Sequence, residues 1–279
     1  MGRGLGQALA STGRTVSLLV RREHAGNWTF VWPESRWPDA IATHELILVA
    51  TPDAAIAPVA ELLAATSPIS ATHVVLHLSG LLDRTALSAL EVSGAALGSF
   101  HPLQTIADPS SAAERLRGAF AAVEGDPRAR LAADVLAREL GMRTVVIPSG
   151  GKTDYHIGAT FVANYAAALL AVGQQCAEQA GVPRELAAEL YLPLLTGATA
   201  NLVALGPVKA LTGAVRRGDI ATIAAHLARL EGRERRLYCD LGLVALGLAR
   251  TAGLDQTAAA GVEAVLAGGT MGGTGNATG

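Results

Sequence analysis

His101 stands directly after an apolar run that ends in Phe100 and directly before Pro102, so a proline fixes the backbone of a histidine at the end of a candidate strand. A histidine so placed can act as general acid or base, or as a cation for a carboxylate. It can equally be a structural loop residue. A second group follows at Lys152-Thr153-Asp154-Tyr155-His156. Lys152, His156, Thr160 and Asn164 recur every fourth residue, which on a helix makes one side. The rest of that stretch, Ile157, Ala159, Phe161, Val162, Ala163 and Ala166, is apolar. A polar stripe on an apolar helix needs water, partners or a cavity. Facing a cleft, it would supply a donor, a proton shuttle and an amide that orients a carbonyl or imine. His101, His156 and Asn164 are therefore the catalytic candidates, and Gln104, Lys152 and Thr160 the candidate substrate contacts.

Gly2, Gly4 and Gly6 open a helical pattern that stops at Gly13, ahead of an apolar run at 16–20. Glycines at a helix start suit a phosphate-binding turn, where the backbone approaches pyrophosphate closely. The alternative is an N-terminal helix that happens to contain glycines. Such a fingerprint follows a strand, and none precedes it here. Counting back from Gly13 through three turns makes Gly2 the third fingerprint glycine, which leaves the first strand and two glycines upstream of Met1. The expectation is a truncated chain, most simply from a start codon assigned too late. Arg21 and Arg22 end the next strand, where arginine suits a 2′-phosphate and hence NADP, with NAD possible; ordinary surface charge is the alternative. Thr51-Pro52-Asp53 and Ser79-Gly80 follow two further apolar runs. Ligands of open parallel sheets bind at such strand ends, which makes Thr51, Pro52, Ser79 and Gly80 cofactor candidates beside Gly2, Gly4, Arg21 and Arg22. Asp53 reads more simply as a helix cap, and His77 as a core histidine.

The elements that position these residues alternate. Strand-like runs at 16–20, 46–50, 74–78, 97–100, 120–124 and 144–148 are separated by helical stretches such as 56–65 and 127–140, the latter with Asp126 as cap and Pro127 in the first turn. Continuous apolar strands between helices predict a parallel sheet covered on both faces. After Ser149-Gly150-Gly151 the strand signals stop and helices follow, one of them capped by Asp219. The expected architecture is an α/β Rossmann-type parallel sheet, its first strand missing, over 1–149, then an all-α domain over 150–267 and a disordered Gly/Thr-rich tail over 268–279. In 279 residues, 50% are hydrophobic, 16% are charged and the net charge is −2. That excludes disorder through most of the chain and offers no basic field for nucleic acid. Two cysteines are too few for a disulfide framework or thiolate metal site, so a cytoplasmic setting is expected. The most apolar stretches, 161–173 and 241–249, fall short of the ~18 residues of a membrane span, so no membrane partner is expected. The apolar helical region points to a homodimer.

The ordered set Ala50-Thr51-Pro52-Asp53, His77-Leu78-Ser79-Gly80, Gly98-Ser99-Phe100-His101-Pro102-Leu103-Gln104, Val123-Glu124-Gly125-Asp126, Tyr155-His156, Ala163-Asn164-Tyr165, Leu211-Thr212-Gly213 and Arg217-Gly218-Asp219 carries a resemblance. It resembles a bacterial family joining a Rossmann-like domain to a helical domain of unknown function, described as short-chain-dehydrogenase-like oxidoreductases. More distantly it is similar to prephenate dehydrogenases, pyrroline-5-carboxylate reductases and ketopantoate reductases. The resemblance implies a nicotinamide cofactor and hydride transfer to or from a small carbonyl, hydroxy or imine substrate, but no particular substrate. The competing expectation is a non-catalytic dinucleotide-binding regulator or scaffold, or an inactive truncated form.

Overall fold

The computed structural model describes residues 1–20, 29–31 and 37–271. Its contacts divide into two compact units, Met1–Ala166 and Ala167–Gly279. Among its described residues the first carries seven strands: β1 (Leu18–Val20), β2 (Thr29–Val31), β3 (Leu46–Val49), β4 (Val74–His77), β5 (Ala96–Pro102), β6 (Phe120–Gly125) and β7 (Arg143–Val146). β1 and β2 pair in parallel as a sheet of their own, and the other five form one sheet in the order β3-β4-β5-β6-β7. All pairs in that sheet are parallel except β5–β6, which is antiparallel. The fold is the expected Rossmann-type α/β architecture with a helical C-terminal region, but the all-parallel expectation fails at β6. The reason lies in the connection. Its helix, α4 (Ala112–Leu116), has five residues and does not carry the chain across the sheet. The chain turns back at the same end of the sheet, with Leu103 N donating to Phe120 O at 2.8 Å.

Strand alternation divides the core. Val74, Leu76, Ala96 and Phe100 face α1 (Gly2–Ser11) and α5 (Pro127–Glu139), packing with Leu5, Leu9 and Leu136. Val75 and Leu97 face the other way, onto Ile56, Ala60 and Leu63 of α3 (Ile56–Thr66) and onto Leu87 and Leu90. The same period of two puts His77, Ser99, His101 and Glu124 on this second face, continuing the rows that Val75, Leu97 and Ala122 begin. An apolar face thus turns polar towards the carboxyl ends of β4 and β5. Asp126 sits at the start of α5, yet its carboxylate caps nothing; it accepts from Leu97 N instead, at 2.9 Å. Asp53 does not cap α3 either, because a short 3-10 turn (Asp53–Ala55) intervenes.

The helix that starts at Lys152 runs through α6 (Lys152–Ala159), a π-helical turn (Thr160–Asn164) and α7 (Tyr165–Gln179). Beyond it, the second unit contains α8 (Arg184–Leu190), α9 (Leu192–Ala210), α10 (Gly213–Arg217), α11 (Ile220–Leu227), α12 (Gly232–Thr251) and α13 (Gln256–Met271). Asp219 caps α11 as expected, accepting from Thr222 N at 3.1 Å. The core of this unit is Ile223, Leu227, Cys239, Leu246, Val262 and Leu266. Helix α13 continues through Gly268 and Gly269 to Met271, so these residues do not belong to a disordered tail. There Gly269 packs against Cys239, whose Sγ would lie 2.6 Å from a Cβ. The expectation that no stretch reaches the length of a membrane span is also corrected. The helical stretches Lys152–Gln179 and Arg184–Arg217 are long and apolar enough to cross one by length and composition. The first, however, begins at a lysine only 3% exposed and bound to strand ends, and the second contains Gly206 at φ 72° followed by Pro207.

Candidate functional site

Everything at the polar edge of the sheet turns on three residues of α6. Lys152, Tyr155 and His156 lie three and four apart and so share a face. Lys152 Nζ donates to Ser79 O at 2.8 Å and to Ser99 Oγ at 3.0 Å. The antiparallel register sets Glu124 opposite Ser99, and the carboxylates of Glu124, Asp53 and Asp83 all favour the charged amine. Burial outweighs them and lowers Lys152 to about 8. Glu124 is itself pushed up by burial, although it accepts from Arg84 N at 2.8 Å.

His101 Nδ1 lies 2.8 Å from Tyr155 Oη, with the two rings edge to face. Burial above all, then the Lys152 ammonium and His156, lowers His101 to about 4. Burial also raises Tyr155 to about 12. Both groups are therefore neutral at pH 7, and His101 supplies no cation there for a carboxylate. When the ring proton is on Nε2, the phenol donates to Nδ1. The His156 ring centroid stands 6.2 Å from that of His101. Gly80 fits between them: a Cβ there would lie 2.7 Å from His156 Cδ2 and 2.8 Å from His101 Cε1. Beneath this pair the chain is held by side chains turned inward. Ser79 Oγ donates to Asp53 Oδ2 at 2.9 Å and accepts from Leu81 N and Leu82 N. His77 is fully buried, as expected; its Nδ1 accepts from Ser79 N, and its Nε2 lies 2.9 Å from Asp83 O.

His101, His156, Gly80, Ser79 and Lys152 are thus brought together. Thr160 lines a half-open pocket of about 130 Å³ next to His156. Asn164 is not brought in: it lies in the π turn at Thr160–Asn164, where residues 161–165 are exposed on every side of the helix. Gln104 serves its own loop, donating to Arg115 O and accepting from Thr105 N. Lys152 faces strand ends rather than open space. Arg21 and Arg22 lie outside the described residues. Tyr155, Ser99 and Glu124 are the participants that a stripe of every fourth residue overlooks; the i, i+3 spacing of Lys152 and Tyr155 is the signal that finds the first of them.

For a cofactor the relevant atoms are at the ends of β3 and α1. Thr51 Oγ1 is buried with no partner, and a buried hydroxyl without a partner costs ~1–3 kcal/mol. A ligand hydroxyl would satisfy it. Gly2 presses on the end of β3, where a Cβ would come 2.6 Å from Ala50 Cβ, and Gly4 presses on Ala112, 2.8 Å away by the same construction. The Gly2 contact is the close helix–strand packing required of the last glycine in a dinucleotide fingerprint, while Gly4 packs on helix α4. These residues fit a nicotinamide dinucleotide, with Pro52 setting the turn after Thr51.

Replacing Lys152 with Met tests the electrostatics directly. Removing the ammonium is expected to raise the pKa of His101, read by imidazole NMR titration, and to abolish any gain in stability as pH rises from about 8 towards 10.5. The sign follows because the folded chain releases that proton before the unfolded chain does. An unmoved His101 titration would separate the two groups.

Residues 119–244 match the family model DUF2520, a domain of unknown function. A search of curated proteins finds no match. Among solved structures, protein TM1727 from Thermotoga maritima is 25% identical with a TM-score of 0.62, covering 75% of this chain and 79% of that one. The Bacteroides fragilis protein BF3122, to which an NADP oxidoreductase activity is ascribed, is 19% identical with a TM-score of 0.62, covering 90% and 93%. A pyrroline-5-carboxylate reductase from Coxiella burnetii is 18% identical with a TM-score of 0.54, covering 91% and 95%. Residues 119–244 thus match DUF2520, and the chain shares the Rossmann-like fold of these solved structures.

Proposed function

We propose that this protein is a nicotinamide-dependent oxidoreductase, preferring NADP, that transfers hydride to or from a small carbonyl, hydroxy or imine substrate. The observation that carries the reading is the neutral His101–Tyr155 pair beside His156 at the carboxyl ends of β4 and β5, where ligands of such sheets bind. Thr51 and the packed start of α1 would hold the dinucleotide. When bound, the cofactor supplies the hydride. The chain's own residues manage one proton. His101 and Tyr155 form a hydrogen-bonded path along which a proton can reach or leave the substrate heteroatom, and His156 stands on the same edge. Lys152 positions: it ties α6 to Ser79 and Ser99 and keeps His101 neutral.

The test is nicotinamide fluorescence with NADPH and NADH, followed by hydride transfer to a panel of ketones and imines. Binding is expected, tighter for NADPH, and His101→Gln and His156→Gln are expected to lower turnover far more than cofactor affinity. Binding of neither dinucleotide would end this reading. Binding with no transfer to any acceptor would favour a regulator.

A further inference from the structure

The pocket beside His156 differs in chemistry from the strand ends behind it. Its apolar walls are Leu81, Ile157, Phe161 and Tyr165, with Thr153 and Thr160 beside His156. Phe161 and Tyr165 meet edge to face, with centroids 5.2 Å apart. Phe161 is 63% exposed and Ile157 48%, so these are large apolar groups held at a mouth rather than in a core. Among the described residues lining it there is no lysine, arginine or carboxylate. The nearest cation, Lys152, is 3% exposed with its amine already donating to Ser79 O and Ser99 Oγ. His101 is uncharged at neutral pH. A carboxylate brought here would find no lysine or arginine among the lining residues to pair with.

We propose that this pocket selects a substrate with an apolar ring or chain and no carboxylate, the apolar part lying on Leu81, Ile157, Phe161 and Tyr165 and the reactive carbonyl or imine end meeting His156 and His101. The proposal rests on the oxidoreductase reading for the word substrate, and on the pocket alone for what binds.

Two imines test it: 2-phenyl-1-pyrroline, and 1-pyrroline-5-carboxylate as its anionic counterpart. Reduction of the first adds hydride from NADPH to the imine carbon and a proton to nitrogen, giving 2-phenylpyrrolidine and NADP⁺. Binding of each imine is measured by calorimetry on the full chain, with and without NADP⁺, and turnover is followed by loss of NADPH. The aryl imine is expected to be favoured by ~10-fold, because its ring gains apolar contact that the carboxylate does not. Phe161→Ala is expected to weaken its binding ~10-fold, and this exposed position leaves folding intact. Phe161→Lys is expected to narrow the preference by improving the carboxylate. Equal or better handling of the carboxylate imine overturns the proposal while leaving the oxidoreductase reading in place. Failure of the aryl imine to bind overturns it as well. Aryl-imine binding that depends on Phe161, without NADPH oxidation, upholds the pocket and removes the reductase reading.

Discussion

Gly80→Ala is expected to lower turnover about 100-fold while costing the fold no more than about 1 kcal/mol. Gly80 is not among the glycines with positive φ, so alanine meets no backbone strain there. What it meets is two imidazole rings. The new methyl would sit 2.7 Å from His156 Cδ2 and 2.8 Å from His101 Cε1, and both rings have to move by several tenths of an ångström or more. His156 can swing towards the half-open pocket. His101 can move only by lengthening its 2.8 Å bond to Tyr155. The cost therefore falls on geometry and not on folding, and displacement by about 1 Å is enough for a hundred-fold loss in rate. The measurements are kcat, cofactor affinity and the ring resonances of His101 and His156. Cofactor affinity should stay close to that of the parent chain, because the contacts assigned to the dinucleotide lie at Gly2 and Thr51. Normal turnover with unshifted ring resonances would show that the two histidines are not held as a pair.

The parts of this site that were legible in the sequence share a physical cause. Runs such as Leu46-Ile47-Leu48-Val49 and Val74-Val75-Leu76-His77 read as strands because both faces of the sheet are covered, so apolarity is continuous. The polar residues that break those runs, His77, Ser99 and His101, mark where the covering changes from apolar side chains to the polar groups around Lys152. Strand direction was not legible. Nothing in the composition of Phe120–Gly125 states its orientation; only its register against β5 does. The antiparallel register in turn places Glu124 against Ser99, which is why the buried environment of Lys152 escaped a reading of strand ends alone. The three-residue β2 (Thr29–Val31) is too short to show a period. Helix phase failed at one point. A period of four carries Lys152 through His156 and Thr160 to Asn164, but Asn164 lies in the π turn, where residues 161–165 are exposed on every side of the helix, and Tyr155 takes the place that the stripe assigned elsewhere.

Stability is expected to fall steeply as pH drops from about 6.5 to about 4, by about 3 kcal/mol from His77 alone. His77 is lowered to about 4, first by burial and then by the charge of Lys152, against the opposing bond to the Asp83 carbonyl. His101 is lowered to about 4 by the same two principal causes. In the window between the folded and unfolded values the unfolded chain holds protons that the folded chain refuses, so unfolding takes up protons and acid favours it. Above about 7 neither histidine contributes any slope. The geometry explains why His77 resists. Its Nδ1 accepts from Ser79 N at 3.2 Å, so a proton there would face an N–H donor, and the residue has no exposed surface through which water could compensate. Because Ser79 also bonds Asp53 and the turn carrying Gly80, protonating His77 loosens the loop between the two catalytic candidates. Urea midpoints between pH 7 and pH 4 measure the effect. His77→Gln keeps a donor for the Asp83 carbonyl but cannot titrate; it should start less stable at pH 7 and lose less on acidification. A midpoint that stays flat from pH 6.5 to pH 4.5, or an unchanged slope in the glutamine variant, would place the proton uptake elsewhere. The same window bears on activity: His77 and His101 are both lowered to about 4, so acid should abolish turnover by loosening the loop and charging His101 together.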